Sequence, residues 1–85
     1  MYHRLCDVRA LPDYLLDATF VDGTRRRYDV KQLFGVIPAF DAMRSTPGLF
    51  ALARVDTGGY GVVWTDKIDL SSEELWEGGE PVGEP

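Results

Sequence analysis

Alternation of apolar and polar residues predicts three β-strands in the first part of the chain. Successive side chains of a strand point to opposite faces, so a period of two marks a half-buried strand. This period is present in Leu5–Leu11, Tyr14–Val21 and Thr24–Val30. Asp22 and Gly23 separate the last two runs. Asp-Gly between two strands is a hairpin signal, because a type I′ turn needs positive φ at both central residues.

The register of this hairpin has two solutions. A two-residue turn would place Phe20 opposite Arg25 and Ala18 opposite Arg27, which sets arginines against core positions. A bulge or a longer loop would move Tyr28 to a different face. The sequence leaves both registers open.

A helical period predicts a short central helix after the third strand. Apolar residues recur three and four positions apart from Val30 to Ile37. Asp29 is placed to cap the first amides, with Gln32 three residues on, as in a capping box. Pro38 is predicted to end or kink this helix, because proline lacks the amide N–H that a helix interior needs.

A second hairpin is predicted in the last part of the chain. Leu49–Asp56 alternates with apolar residues on both faces, so we expect it to be a central strand. Residues 57–59 make a tight reversal, and Tyr60–Thr65 is the returning strand. Tyr60 and Trp64 share a face. Stacking on nucleic-acid bases is one use of such a pair, but a small core needs large aromatic residues, so core packing is favoured.

A capped helix is predicted near the end. Ile68–Leu70 is extended, and Ser71 and Glu74 form an S-x-x-E capping box, in which each side chain bonds the other residue's amide. The last residue of the extended run and Leu75 are spaced for a hydrophobic staple. Gly78 and its neighbouring glycine are predicted to end the helix.

These elements predict an α+β fold. We expect a small two-layer domain with a mainly antiparallel sheet of about five strands, two hairpins, a short central helix and a short C-terminal helix. Residues 1–79 are predicted to form a single domain, because 85 residues support one small core. Residues 80–85 are predicted to be a polar, flexible tail.

Composition and charge exclude several classes of protein. With 45% hydrophobic residues and a net charge of −5, the chain can bury a core but repels nucleic-acid phosphates and acidic membrane surfaces on average. No apolar run approaches the roughly 20 residues of a membrane span, and the start does not resemble a signal peptide. We therefore expect a cytoplasmic protein. Cys6 is the only cysteine, which excludes an internal disulfide.

Catalytic and metal-binding sets are not predicted. His3 is expected to be an exposed terminal residue, and Cys6 to be buried as a small hydrophobe. Three positions apart on a strand, they face opposite sides and cannot act as a pair. Four acidic residues could hold a cation, but their spacing is not that of a calcium loop, and capping and the helix dipole explain the last three. These are Asp66, Asp69, Glu73 and Glu74. No metal or cofactor is predicted.

Arg25, Arg26 and Arg27 are consecutive, so at most two of them share a face of a strand. A solvated strand that resists edge-to-edge aggregation is the favoured interpretation. A basic patch for an anionic partner is the alternative.

Several motifs occur in order and together resemble a small bacterial family known as domain of unknown function 2442 (DUF2442). They are F-x-D-G at Phe20–Gly23, then Tyr28-Asp29-Val30, Gly48-Leu49-Phe50, and W-x-x-x-I-D-L-S-x-E-x-L from Trp64 to Leu75. The residues that we expect to be the structural signature are Asp22, Gly23, Trp64, Ile68, Asp69, Ser71, Glu74 and Leu75.

The resemblance implies a compact α+β domain of bacterial or phage origin, with no established catalytic residues. Family members stand alone or precede a helix-turn-helix segment, and some look like half of a two-gene, toxin–antitoxin-like pair. The few residues after Leu75 leave no room for a helix-turn-helix, so we expect no DNA-binding extension here.

The leading functional hypothesis is a non-enzymatic module that binds another protein. An edge strand, the acidic surface, an exposed side of Trp76 and the three arginines are the predicted contacts. A second copy of the chain is a further possible partner. The alternative hypothesis is a nucleic-acid-linked transcriptional regulator that uses the three arginines, although nucleic acid is not expected to bind without a partner protein. No membrane partner is predicted.

Overall fold

The computed structural model describes residues 3–82 and contains seven strands and two α-helices in that range. The strands are β1 (Leu5–Leu11), β2 (Leu15–Phe20), β3 (Arg25–Asp29), β4 (Arg54–Val55), β5 (Gly61–Thr65), β6 (Ile68–Ser71) and β7 (Glu80–Pro81). The helices are α1 (Pro38–Ser45) and α2 (Ser72–Gly78). Short 3₁₀-helices span Pro12–Tyr14, Val30–Leu33 and Phe50–Leu52.

The strands form two antiparallel sheets, which confirms the α+β class. The first has the order β1-β2-β3-β7 and the second β4-β5-β6. The strands are divided between these two sheets, where a single sheet of about five strands was expected. Helix α2 leaves β6 at the edge of one sheet and leads to β7 at the edge of the other, and it packs against β3, β5 and β6 on the way.

The first hairpin adopts the register with the longer loop. Ala18 pairs with Arg26 and Leu16 with Tyr28, so the two-residue type I′ turn is not formed. The Phe20 N–H donates to the oxygen of Thr24 at 2.8 Å and closes the loop. This register points Tyr28 into the core and turns the arginines on either side of Arg26 outward.

One hydrophobic core connects both sheets and both helices. A single cluster of buried residues runs from Leu5 in β1 to Leu75 in α2. Its fully enclosed large side chains are Tyr28, Phe20, Leu16, Leu75, Val30 and Val62. Full burial of one such aliphatic or aromatic side chain contributes about 1.5–3 kcal/mol, so this cluster is the main source of stability.

The predicted central helix is split, and the role assigned to Pro38 was wrong. The Asp29 side chain does cap, accepting from the Lys31 N–H at 2.9 Å, but the segment that it starts is a 3₁₀-helix ending at Leu33. Gly35, with φ +77°, then redirects the chain. Pro38 begins α1, where its fixed φ suits the first turn and its missing N–H has no intrahelical partner to lose.

The predicted central strand over Leu49–Asp56 was also wrong. Most of it is coil and the 3₁₀-helix at Phe50–Leu52, and β4 contributes only two residues at a sheet edge. The Trp64 indole N–H donates to the Phe50 carbonyl at 3.1 Å, which anchors this 3₁₀-helix. Tyr60 lies outside the core, with half of its surface exposed.

The end of the described chain returns to the first sheet. Helix α2 ends at the two glycines, with the Gly79 N–H donating to the Leu75 oxygen at 3.1 Å. Glu80 and Pro81, in the part predicted to be a flexible tail, pair with Arg27 and Arg26 of β3. Residues 83–85 of the predicted tail lie outside the described residues.

Candidate partner-binding surface

The capping-box residues at the start of α2 cap the helix and connect it to the first sheet. Ser71 Oγ accepts from the Glu74 N–H at 3.1 Å, as the capping box predicts. The reciprocal half is absent, because Glu74 Oε2 instead accepts from the Tyr28 hydroxyl at 2.8 Å. Burial and this carboxylate raise the pKa of Tyr28. The Glu74 side chain therefore ties α2 to β3 rather than completing the cap.

Other signature residues occupy structural positions. Trp64, Ile68 and Leu75 are buried in the core. Asp22 Oδ1 accepts from the Thr24 N–H at 2.9 Å and orders the first hairpin loop, and these hydrogen bonds lower the pKa of Asp22. Gly23 in the same loop has φ +92°, a conformation that favours glycine. The Asp69 side chain is exposed on β6 and makes no hydrogen bond within the described chain.

A half-buried tryptophan, Trp76, forms the centre of an aromatic and cationic cluster. The His3 ring stacks on it with centroids 3.7 Å apart and planes 9° from parallel. Phe20 meets its ring edge-on at 5.0 Å. The Arg26 guanidinium carbon lies 4.5 Å from the ring centroid, within the range of a cation–π contact. We call His3, Phe20, Arg26 and Trp76 the Trp76 cluster.

The start of the described chain is docked onto α2 through His3. Its main-chain N–H donates to Glu73 Oε2 at 2.6 Å, and its ring Nδ1 lies 3.1 Å from Glu73 Oε1. These hydrogen bonds lower the pKa of Glu73. The prediction of an exposed terminal histidine is therefore wrong. Glu73 and Trp76 lie three positions apart and share a helix face, which is the signal in the sequence for this contact.

The three consecutive arginines are divided between the two faces of the first sheet, as alternation requires. Arg26 joins the Trp76 cluster. Arg27 makes two hydrogen bonds with Asp17, at 2.7 and 3.1 Å, and these lower the pKa of Asp17 and raise that of Arg27. Arg25 is exposed on the same outward face as Arg27.

That outward face is mixed in charge rather than basic. Arg9, Asp17 and Arg27 lie side by side across β1, β2 and β3. Asp7 and Arg25 flank Thr19 in the next row. Because opposite charges alternate across the three strands, the face does not form the continuous positive stripe that phosphate backbones require.

Arg26 is the arginine of the three that has a buried donor without an acceptor. Its side chain makes no hydrogen bond or ion pair within the described range, and its Nε is buried without a partner. A buried, unsatisfied donor costs about 1–3 kcal/mol. The cluster therefore presents a rigid tryptophan beside a guanidinium that can still bind an oxygen.

The residues considered for catalysis are not assembled. Cys6 is exposed, contrary to the prediction, with its Sγ 3.7 Å from the Phe20 carbonyl oxygen. A shift in pairing between Leu5 and Asp7 displaces it from the expected alternation. Between residues 3 and 82, no group of three or more His, Cys, Asp or Glu side chains is arranged to hold a metal ion.

A cleft of about 650 Å³ lies beside β3 and β7, and of its charged lining residues only Glu80 has no side-chain partner in the described part of the chain. Among its lining residues, Arg27 bonds Asp17, and Asp29 caps the 3₁₀-helix that begins at Val30. The cleft thus offers no free acid–base pair. None of the helices in the described part of the chain is long and apolar enough to cross a membrane.

A family model described as "Protein of unknown function (DUF2442)" matches residues 6–81. This range includes every strand and both helices except the first residue of β1. No curated protein and no solved structure matches the chain.

Proposed function

The chain belongs to the DUF2442 family, and we propose that it is a non-enzymatic module that acts by binding another protein. The proposal extends to its role: an antitoxin-like or regulatory partner in a small bacterial two-gene system, working in the cytoplasm. The partner is a protein, and the Trp76 cluster is the contact site.

The observation that carries this proposal is the Arg26–Trp76 pair. Tryptophan and arginine are the residue types most enriched among side chains that dominate binding energy at protein interfaces. Both are held in place before any partner arrives, since His3 and Phe20 pack against the same indole ring. A preformed contact loses less side-chain entropy on binding. The Arg26 side chain has no acceptor within the described chain, so it is available to a partner's carbonyl or carboxylate oxygen.

The non-enzymatic part of the proposal is supported by how the ionisable side chains are used. Glu73 binds His3, Glu74 binds Tyr28, and Asp17 binds Arg27. Each of these pairs joins two elements of the fold. A general acid or base instead needs a carboxyl or imidazole directed at a substrate in a cleft.

The test is co-purification of the tagged domain from its native host at near-stoichiometric yield. The recovered proteins are identified, and the product of the adjacent gene is then purified and titrated against the domain. Recovery of no protein, together with no binding to the adjacent gene's product, would overturn the proposal.

A pair of neighbouring variants locates the contact. Arg26→Ala is expected to weaken partner binding at least about tenfold, the usual loss when a side chain central to an interface is truncated. Arg25→Ala is the matched control, because the same residue type one position earlier faces the opposite side of the sheet, and it is expected to leave affinity within about twofold. Equal losses would place the contact elsewhere.

Nucleic-acid binding is tested in the same series by mobility shift at low salt. Binding of DNA or RNA that is salt-dependent and disappears when Arg25 and Arg27 become alanine would replace the proposal with the nucleic-acid-linked regulator.

A further inference from the structure

The outer edge of β6 is an open strand edge. β1 and β7 end the first sheet, and β4 and β6 end the second. β1 and β4 lie beside each other, and β7 has only two residues. Across residues 3–82, β5 is the strand that pairs with β6, so the far side of Ile68–Ser71 has no strand neighbour.

The ladder shows which main-chain groups β6 presents at that edge. The Ser72 N–H donates to the Tyr60 oxygen at 2.9 Å. In an antiparallel ladder, bonded pairs alternate with non-bonded pairs. Leu70 is therefore bonded to β5, whereas Asp69 points its N–H and C=O away from β5 and Ser71 points its N–H away. The Ser71 C=O belongs to the first turn of α2, because Ser71 is the N-cap of that helix.

The Ser71 N–H stays available because of the contact that anchors α2. A complete capping box would use this N–H to bind the Glu74 carboxylate. Tyr28 holds that carboxylate instead, at 2.8 Å. The incomplete cap thus leaves the Ser71 N–H at the open edge without a side-chain acceptor.

The negative charge of the chain lies in the part of the sequence that contains β6. Residues 66–84 contain seven acidic residues and one lysine, a net charge of −6, whereas residues 1–65 contain seven acidic and eight basic residues, a net charge of +1. We call residues 66–84 the acidic segment. Among its exposed side chains, Asp69 projects directly from β6, and Asp66 lies in the turn that precedes it.

The acidic charge disfavours a second copy of the chain as the strand added to β6 and favours a basic strand. If two copies paired through β6, the exposed Asp69 and Asp66 of each would lie close to those of the other, and like charges on paired strands destabilise the pairing. A basic strand at the same edge would instead form main-chain hydrogen bonds and place its positive charges beside the acidic side chains.

We infer that β6 accepts an extended basic segment of the partner protein as an added antiparallel strand. The segment alternates arginine or lysine, on the face of Asp69 and Ser71, with apolar residues on the face of Ile68 and Leu70. This rests on the proposed function and specifies the partner's chemistry, with the Trp76 cluster as a second contact of the same interface.

A synthetic peptide tests the inference directly. The probe is the capped sequence Arg-Val-Arg-Val-Arg-Val-Arg, titrated into the full chain at low salt and followed by amide NMR. Binding is expected with a Kd below about 1 mM, with the largest shifts at the Asp69 and Ser71 amides and slowed exchange of both. Absence of binding at about 1 mM, or shifts confined to other strands, would overturn the inference.

Backbone methylation of the peptide separates strand addition from charge attraction. In an antiparallel pair, the residue opposite Asp69 exchanges both hydrogen bonds with it, the residue opposite Ser71 accepts from the Ser71 N–H, and side-chain alternation makes both of these residues arginines. N-methylation of the central arginine amides should weaken binding at least about tenfold, whereas N-methylation of the valines should not. Equal effects of the two methylations contradict an added strand.

Two charge reversals complete the design. Asp69→Lys should weaken binding of the arginine peptide at least about fivefold, whereas Asp7→Lys, the same change on an exposed position of the other sheet, should have less effect. A native partner that tolerates Asp69→Lys but not Arg26→Ala removes the β6 inference and leaves the proposed function standing. If the arginine peptide binds at β6 but no native partner is found, the β6 inference stands and the proposed function is overturned.

Discussion

Two neighbouring serines at the start of α2 have opposite surroundings. Ser71 Oγ accepts from the Glu74 N–H at 3.1 Å, so it satisfies one of the free amides of the first turn. Ser71→Ala is expected to lower the free energy of unfolding by about 1 kcal/mol, the usual value of an N-cap side chain. Denaturant unfolding followed by tryptophan fluorescence measures this change.

Ser72→Ala is the control for that variant. The Ser72 hydroxyl is buried, and no residue of the described chain bonds it. Removing an unsatisfied polar group relieves its desolvation, so stability should stay the same or rise by up to about 1 kcal/mol. If both serine variants lose the same stability, the cap is not what Ser71 contributes.

Tyr28 is the residue that joins β3 to α2. Its ring is fully buried, and its hydroxyl donates to Glu74 Oε2 at 2.8 Å. Tyr28→Phe keeps the ring and loses a hydrogen bond to a charged acceptor, so it should cost about 1–2 kcal/mol. Glu74→Gln, which keeps an oxygen acceptor, should cost less. A Tyr28→Phe variant as stable as the wild type would show that the hydroxyl contributes nothing net.

At the scale of elements, the sequence correctly predicted the turns, caps and helix ends that depend only on neighbouring residues. The Asp-Gly hairpin, the Asp29 and Ser71 caps and the end of α2 at Gly79 are formed within a few residues of the signal that marks them. The features that the sequence did not predict depend on contacts between residues far apart in the chain. The Trp64 indole of β5 donates to Phe50 in a segment that was predicted to be a strand, and β3 pairs with Glu80 and Pro81, which were predicted to belong to the tail.

Pro38 provides a test of one of those failures. It begins α1, so Pro38→Ala should leave the helical circular dichroism unchanged and alter stability by less than about 1 kcal/mol, chiefly through the unfolded chain. If Pro38 ended a helix, alanine there would lengthen it and strengthen the signal near 222 nm, roughly in proportion to the residues added. Ala39→Pro, one position inside α1, serves as the comparison.

At the scale of the whole molecule, the functional surface was only partly visible in the sequence. Trp76 and the three arginines were identified as contacts by residue type, but Arg26 reaches Trp76 only because the longer-loop register turns it toward α2. His3 joins the same ring from 73 positions away, which no local pattern marks. The charge difference between residues 1–65 and 66–84 was present in the sequence, but its relation to an open strand edge required the sheet order.

The acid stability of the whole domain follows from its paired carboxylates. Hydrogen bonds lower the pKa values of Asp17, Asp22 and Glu73, led by the bond from Arg27 for Asp17. A carboxyl with a lower pKa in the folded state stabilises fully above its unfolded pKa, which is 3.8 for Asp and 4.5 for Glu, and this contribution is lost as pH falls through the folded pKa. The free energy of unfolding should therefore decrease as pH falls below about 4.5.

Asp17→Asn tests this origin, because asparagine does not titrate. Urea unfolding at a series of acidic pH values should show a shallower pH dependence for this variant than for the wild type. Arg27→Ala should flatten the curve similarly, and the double variant should change it no further than either single one, since both remove the same pair. Arg25→Ala, beside the pair but not bonded to it, should change the slope less. Parallel curves for wild type and Asp17→Asn would show that Asp17 and Arg27 do not stabilise the folded sheet.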